Sequence, residues 1–234
     1  MMGRDSARLD GETALIISLG LPMLAGIAEG LTARGATVVT LEHPALGMSV
    51  DAVEAALIAG LGETMPTLVV LSLLTPQATA IASLEGTNLE TWKQAASDPI
   101  RIAMRVLTAL GRRMKPSGRG AVVFVAPSLS LVGGAGLVGL STALEGQRGL
   151  MKSTARQWGA SGVTVNWLAA APRGLSDHFE GADLASKGDA VPVALGRRPS
   201  ADEIAGMAAW LAGPAGRSVT GATLLIDGGE WMVP

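Results

Sequence analysis

Short, unbroken apolar runs at wide intervals constrain this chain's fold more than any other feature. They are Glu12 to Ser18 (ETALIIS), Thr37 to Glu42 (TVVTLE), Thr67 to Leu74 (TLVVLSLL), Ala121 to Ala126 (AVVFVA), Val163 to Leu168 (VTVNWL) and Thr223 to Ile226 (TLLI). Runs of this length and apolarity suit strands buried on both faces. Helical patterns separate them: Met23 to Arg34, Asp51 to Leu61, Leu89 to Met114, Leu137 to Trp158 and Ala201 to Ala212. Gly35 is a good stop for the first helix, and Pro99 marks a kink or boundary inside the third. Strands alternating with helices predict an α/β fold, an open doubly wound parallel sheet of six to seven strands with helices on both faces. One domain over residues 11–234 is expected, with residues 1–10 (MMGRDSARLD) as a flexible leader. Arg173 to Arg198 reads as a polar connection, a candidate flap.

Composition closes several routes to function. A formal charge of −2 gives no electrostatic reason to bind nucleic acid. No apolar run reaches membrane-spanning length, and no membrane role is expected. The chain has no cysteine, which fits a cytoplasmic protein and excludes thiolate chemistry. Its two histidines, His43 and His178, are far apart, so no metal site is expected. It also has no tyrosine, which closes to its own residues any mechanism that needs a phenol.

The C-terminal third carries a more specific pattern. Gly196-Arg197-Arg198-Pro199, Glu203-Ile204-Ala205, Trp210-Leu211-Ala212, Val219-Thr220-Gly221-Ala222 and Ile226-Asp227-Gly228-Gly229 resemble the end of a short-chain dehydrogenase/reductase. The closest flavour is the 3-oxoacyl-carrier-protein reductase type. Gly162-Val163-Thr164-Val165-Asn166 with Pro172, and Ala33-Arg34-Gly35-Ala36 with Val38-Val39, extend the resemblance to nearly the whole chain. It implies a Rossmann-type fold, NAD(P)-linked hydride transfer, and dimers or tetramers. Only about eight residues separate Glu42 from the next helix, too few for the family's usual helix plus full third strand, so the third-strand region is shortened.

At the positions where this family does its chemistry, the chain departs from the pattern. The phosphate loop Thr-Gly-x-x-x-Gly-x-Gly aligns with Ile17, Ser18, Pro22 and Leu24, with Gly20 between them. The lost glycines would let the backbone approach a pyrophosphate. Glu42 stands where the family often has an acid for the adenosine ribose, a place where an acid also serves solubility. The Asn-Asn-Ala-Gly that ends the fourth strand aligns with Leu71-Ser72-Leu73-Leu74. The asparagine of the proton relay falls at Pro99, with Ser97 and Asp98 adjacent. The catalytic serine, tyrosine and lysine positions read Pro127, Leu140 and Leu144, with Ser128 one place from the serine. Lys152 lies about two turns beyond the lysine position, too far to replace it. The glycine run Gly133 to Gly136 reads as a flexible link rather than a phosphate cradle.

From these substitutions the expectation is a non-catalytic subunit with no catalytic residues of its own. It would bind no cofactor and pair as a hetero-oligomer with an intact homologue that holds NAD or NADP, acting on a CoA thioester or other acyl substrate. Trp231 and Met232 near the end could dock across such an interface. Two other readings stay open. One is an active NAD(P)-dependent oxidoreductase with displaced catalytic groups, using Asp98, His178 or a partner's residue. The other is a ligand-binding module whose old cleft is lined by Leu71, Leu73, Leu140 and Leu144.

Overall fold

The computed structural model describes residues 7–20, 23–42, 44–175, 179 and 193–233. In chain order the elements are β1 (Thr13–Ser18), α1 (Met23–Ala33), β2 (Thr37–Leu41), α2 (Val50–Leu61), β3 (Leu68–Ser72), α3 (Leu89–Trp92), α4 (Asp98–Ser117), β4 (Gly120–Pro127), α5 (Val138–Trp158), β5 (Val163–Ala170), α6 (Pro172–Leu175), α7 (Ala201–Ala212) and β6 (Thr223–Ile226). The six strands form one sheet in the order β2-β1-β3-β4-β5-β6, and every pairing is parallel. The sheet has six strands because the short link between β2 and α2 holds only a 3-10 turn, Pro44–Gly47. β2 is therefore an edge strand, half exposed along its length.

The apolar runs become strands for the reason their composition suggests. β3 is buried at every residue, as is β5, and only the first residue of β4 shows partial exposure. A strand with helices over both faces has no position for a solvent-facing polar residue. In the middle of the sheet Phe124 and Trp167 are register partners, and their rings stack with centroids 5.3 Å apart. Asn166, fully buried beside them, donates from Nδ2 to the Val219 carbonyl at 2.8 Å and accepts the Ala222 N–H at 3.1 Å. Those two bonds replace the water its amide loses and fix the turn that leads into β6.

Helix ends follow their capping residues. Ser49 accepts the Ala52 N–H at 3.1 Å to start α2. Ser200 and Glu203 form a reciprocal capping box at the start of α7. Arg197 grips the same Glu203 with two bonds of 2.7 Å, which with the cap holds that carboxyl at a pKa of about 2. On one face of the sheet α1 crosses α7 closely: a Cβ on Gly26 or Gly30 would lie 2.7 Å from the Cβ of Ala201 or Ala205. On the other face α2, α4 and α5 pack side by side.

Two local expectations change. The helix anticipated from Leu89 to Met114 is continuous and runs on to Ser117, but α3 passes through a π-helical turn over Lys93–Ser97 into α4, whose first turn holds Pro99. The π-turn re-routes the backbone bonds just ahead of the proline, which has no N–H to donate. The described part of the leader is anchored. Leu9 is buried in the core and its N–H donates to the Arg34 carbonyl at 2.8 Å. Within Arg173 to Arg198, residues 176–178, 180–192 and hence His178 lie outside the described residues, as do Pro22 and His43.

Candidate functional site

A parallel sheet places the carboxyl ends of all its strands on one edge. Here the strand order reverses between β1 and β3, so the connections leave those two strands in opposite directions, the arrangement at which open parallel sheets bind their ligands. Ser18 closes β1 and Ser72 closes β3, and the two are register partners, so their side chains leave the sheet on the same face. Both are buried. Ser18 Oγ accepts the Gly20 N–H at 2.9 Å, and the Leu19 N–H donates to the Ser72 carbonyl at 3.3 Å. The Ser72 hydroxyl has no hydrogen-bond partner. Gly20 is exposed, has φ 102°, and faces open space where a side chain would stand. Glu42 follows the last residue of β2 and is exposed.

The next strand ends in a second orphaned hydroxyl. β4 runs to Pro127, and Ser128 opens a 3-10 turn over Ser128–Leu131. Ser128 is fully buried, and its Oγ has no hydrogen-bond partner among the described residues. The loop then turns through Gly133 and Gly136, both at positive φ, and the Gly136 carbonyl accepts the Ala82 N–H at 2.8 Å. In the first two turns of α5, Leu140 and Leu144 are fully buried, and the hydroxyl of Ser141 is a third without a partner. One turn on, buried Gln147 donates from Nε2 to the Leu73 carbonyl at 2.8 Å and ties α5 to the end of β3.

The structure thus brings Ser18, Ser72 and Ser128 to the ends of three adjacent strands. It puts Pro127, Leu140, Leu144 and Leu24 into apolar packing. Leu71 and Leu73 join Leu140 and Leu144 in one continuous core, so these four do not line an open cleft. Pro99 is buried, Asp98 is half-buried at the start of α4, and Lys152 is exposed. An exposed positive-φ glycine beside open space, ahead of a helix N-terminus and next to an orphaned hydroxyl, fits the phosphate end of a dinucleotide. Leu140 and Leu144 offer such a ligand no hydrogen bond.

A residue that the sequence did not single out stands at the same edge, beyond β6. Glu230 is buried, and its Oε2 has no hydrogen-bond partner. The Arg198 Nε forms an ion pair with it at 3.9 Å and makes no hydrogen bond among the described residues. Burial pushes the Glu230 carboxyl above the usual range, opposed by Arg198 and Arg173 and reinforced by Asp227. The folded chain therefore holds this proton more tightly than the unfolded chain. Stability is lost as pH rises through the folded pKa. Glu230→Gln removes the ionisation, and we expect it to raise the melting temperature at about pH 8 more than at about pH 5. A melting curve series across that range checks this; an equal shift at both ends would refute it.

Comparison with known proteins gives consistent relatives. A family model described as enoyl-(acyl carrier protein) reductase matches residues 49–230, which begins just ahead of α2. The D-threitol dehydrogenase of Mycolicibacterium smegmatis is 26% identical over 244 residues, covering 95% of this chain and 94% of the relative. The 2-dehydro-3-deoxy-D-gluconate 5-dehydrogenase of Bacillus subtilis is 28% identical over 260 residues, covering 97% of each chain. Among solved structures, a gluconate 5-dehydrogenase from Burkholderia cenocepacia in complex with NADP and tartrate superposes with a TM-score of 0.80 at 22% identity, covering 97% of each chain.

These findings overturn the expectation of a non-catalytic subunit that binds no cofactor. Relatives that match this chain nearly end to end are named as dehydrogenases, and a neighbour of the same fold was solved in complex with NADP. Counting residues at family positions shows which atoms are missing. It does not show that the crevice is unused, because hydride chemistry belongs to the cofactor and the protein supplies binding and orientation.

Proposed function

Because the chain belongs to the short-chain dehydrogenase/reductase family, whose model spans residues 49–230, we propose that it is an NAD(P)-dependent oxidoreductase with displaced catalytic groups. Its substrate is a secondary alcohol or the matching ketone on a small polyhydroxy compound, the class named for its full-length relatives. The observation that carries this reading is the Ser128 hydroxyl, fully buried at the crevice edge and without a protein partner. It stands one place beyond the family's catalytic serine position, Pro127. A buried hydroxyl without a partner costs stability, and a substrate oxygen would satisfy it.

When bound, the nicotinamide supplies the hydride donor or acceptor. Gly20 and Ser72 would hold the dinucleotide's phosphates, with Glu42 at the ribose end. Ser128 donates a hydrogen bond to the substrate's reacting oxygen and orients the carbon that exchanges hydride. Since the chain has no tyrosine, the proton moves through a group other than a phenol of this chain. Assembly into dimers or tetramers is part of the proposal. The edge strand β6 and the neighbouring Leu195 and Met232 leave an apolar face exposed.

Fluorescence titration of the purified chain with NADH and NADPH tests the reading, followed by turnover assays with NAD⁺ or NADP⁺ on polyols and sugar acids. Saturable binding of one nucleotide and oxidation of at least one such alcohol are expected. No binding up to millimolar nucleotide would sink it.

A further inference from the structure

Resting on the cofactor reading above, we propose that Ser18 sets this chain's affinity for its dinucleotide from within. Its hydroxyl takes the Gly20 N–H that a phosphate oxygen would otherwise accept, and the Ser72 hydroxyl beside it is the donor left for the phosphate. Ser18 stands where the family pattern has its first glycine, so the hydroxyl is an addition at this point of the loop. The bond from the Gly20 N–H to Ser18 Oγ is 2.9 Å, a full hydrogen bond by length. Gly20 itself is exposed, and among the described residues nothing lies within 4 Å of where its side chain would stand, so a ligand can reach the residue whose N–H is already engaged. An oxygen of a phosphate accepts a backbone N–H more strongly than a hydroxyl does, but it must first displace the internal acceptor.

Ser72 supplies the independent sign of a ligand. Its side chain leaves the sheet beside that of Ser18, it is about 98% buried by its 2% exposure, and its hydroxyl is unpartnered. A hydroxyl whose proton and lone pairs meet no protein group at a crevice edge is a donor awaiting an acceptor. The two serines therefore act in opposite senses. One masks a donor of the loop, and the other offers a replacement.

The test is a fluorescence titration of the full chain with NADH and NADPH, comparing the parent with Ser18→Ala and Ser72→Ala. Circular dichroism confirms that each variant is folded. Ser18→Ala frees the Gly20 N–H and is expected to tighten binding about threefold to tenfold. Ser72→Ala is expected to weaken it by a similar factor. Without nucleotide, Ser18→Ala should also speed hydrogen exchange at the Gly20 amide. If the parent binds and neither substitution moves the dissociation constant, or Ser18→Ala weakens it, the masking role is wrong and the cofactor reading stands. Unchanged exchange at Gly20 likewise overturns the masking role. If neither the parent nor the variants bind, the cofactor reading itself fails, and this proposal fails with it.

Discussion

Replacing Leu144 with lysine should destabilise the protein by about 3–5 kcal/mol, the cost of leaving a charge buried and unpaired. Leu144, the residue expected at the family's lysine position, is fully buried in the core with Leu140 and Leu73. A lysine there would bring an ammonium into a site whose neighbours are apolar and which holds no carboxylate in α5's first two turns. Thermal melting should fall by roughly 6–20 °C, the shift that such a loss implies for a chain of this size. Adding Leu140→Tyr, which restores the family pair, should make matters worse, because the larger ring must enter a packed interior. A doubly substituted protein that melts like the parent would mean that this part of α5 faces an open cleft.

Ser128→Ala should separate activity from stability. The orphaned hydroxyl makes no bond in the folded chain, so its removal is expected to change stability by less than about 1 kcal/mol in either direction. If the hydroxyl holds the reacting oxygen, turnover should fall by about 10²–10³-fold, the usual effect of losing one preorganised donor. Ser141→Ala is a useful comparison, since that hydroxyl is equally without a partner but stands on α5 next to Leu140 rather than at a strand end. Steady-state rates and melting curves on both variants decide the matter. Equal rates for Ser128→Ala and the parent would remove Ser128 from the reaction.

The sheet was legible in the sequence because strands covered on both faces leave a plain trace, an apolar run with no polar break. The start of α2 near Asp51 was legible for a similar reason, whereas the caps themselves, Ser49 and Ser200, were not singled out. The π-turn at Lys93–Ser97 left no such trace. It depends on how α5 packs against that stretch, where a Cβ on Gly139 would come 2.7 Å from the Cβ of Ala95. The shortened third-strand region could be read from the few residues between Glu42 and α2. The site was only half legible. Leu140, Leu144 and Ser128 stand out in the sequence by their spacing, and all three are buried. Spacing could not tell that the Ser72 and Ser128 hydroxyls are buried without partners, because satisfaction is a property of three-dimensional surroundings. Glu230 escaped for the same reason: nothing in GGEWMVP shows that its carboxyl is buried near Arg198. The larger error was to read the loss of particular side chains as the loss of the reaction.

The stacked pair at the centre of the sheet also makes this protein its own optical probe. With no tyrosine in the chain, its near-ultraviolet emission comes from tryptophan without phenolic background. Trp167, shielded and held against Phe124, should emit toward the blue and give the sharpest near-ultraviolet dichroism. Trp92, Trp210 and Trp231, each partly exposed, should emit further to the red. Trp158, buried at the end of α5, should emit to the blue as well, so loss of the blue component marks disruption of the packed core, whereas changes confined to the red report on the surface. A reduced nicotinamide bound at the carboxyl edge would accept energy from these indoles, so one emission spectrum can record the fold and its occupancy together.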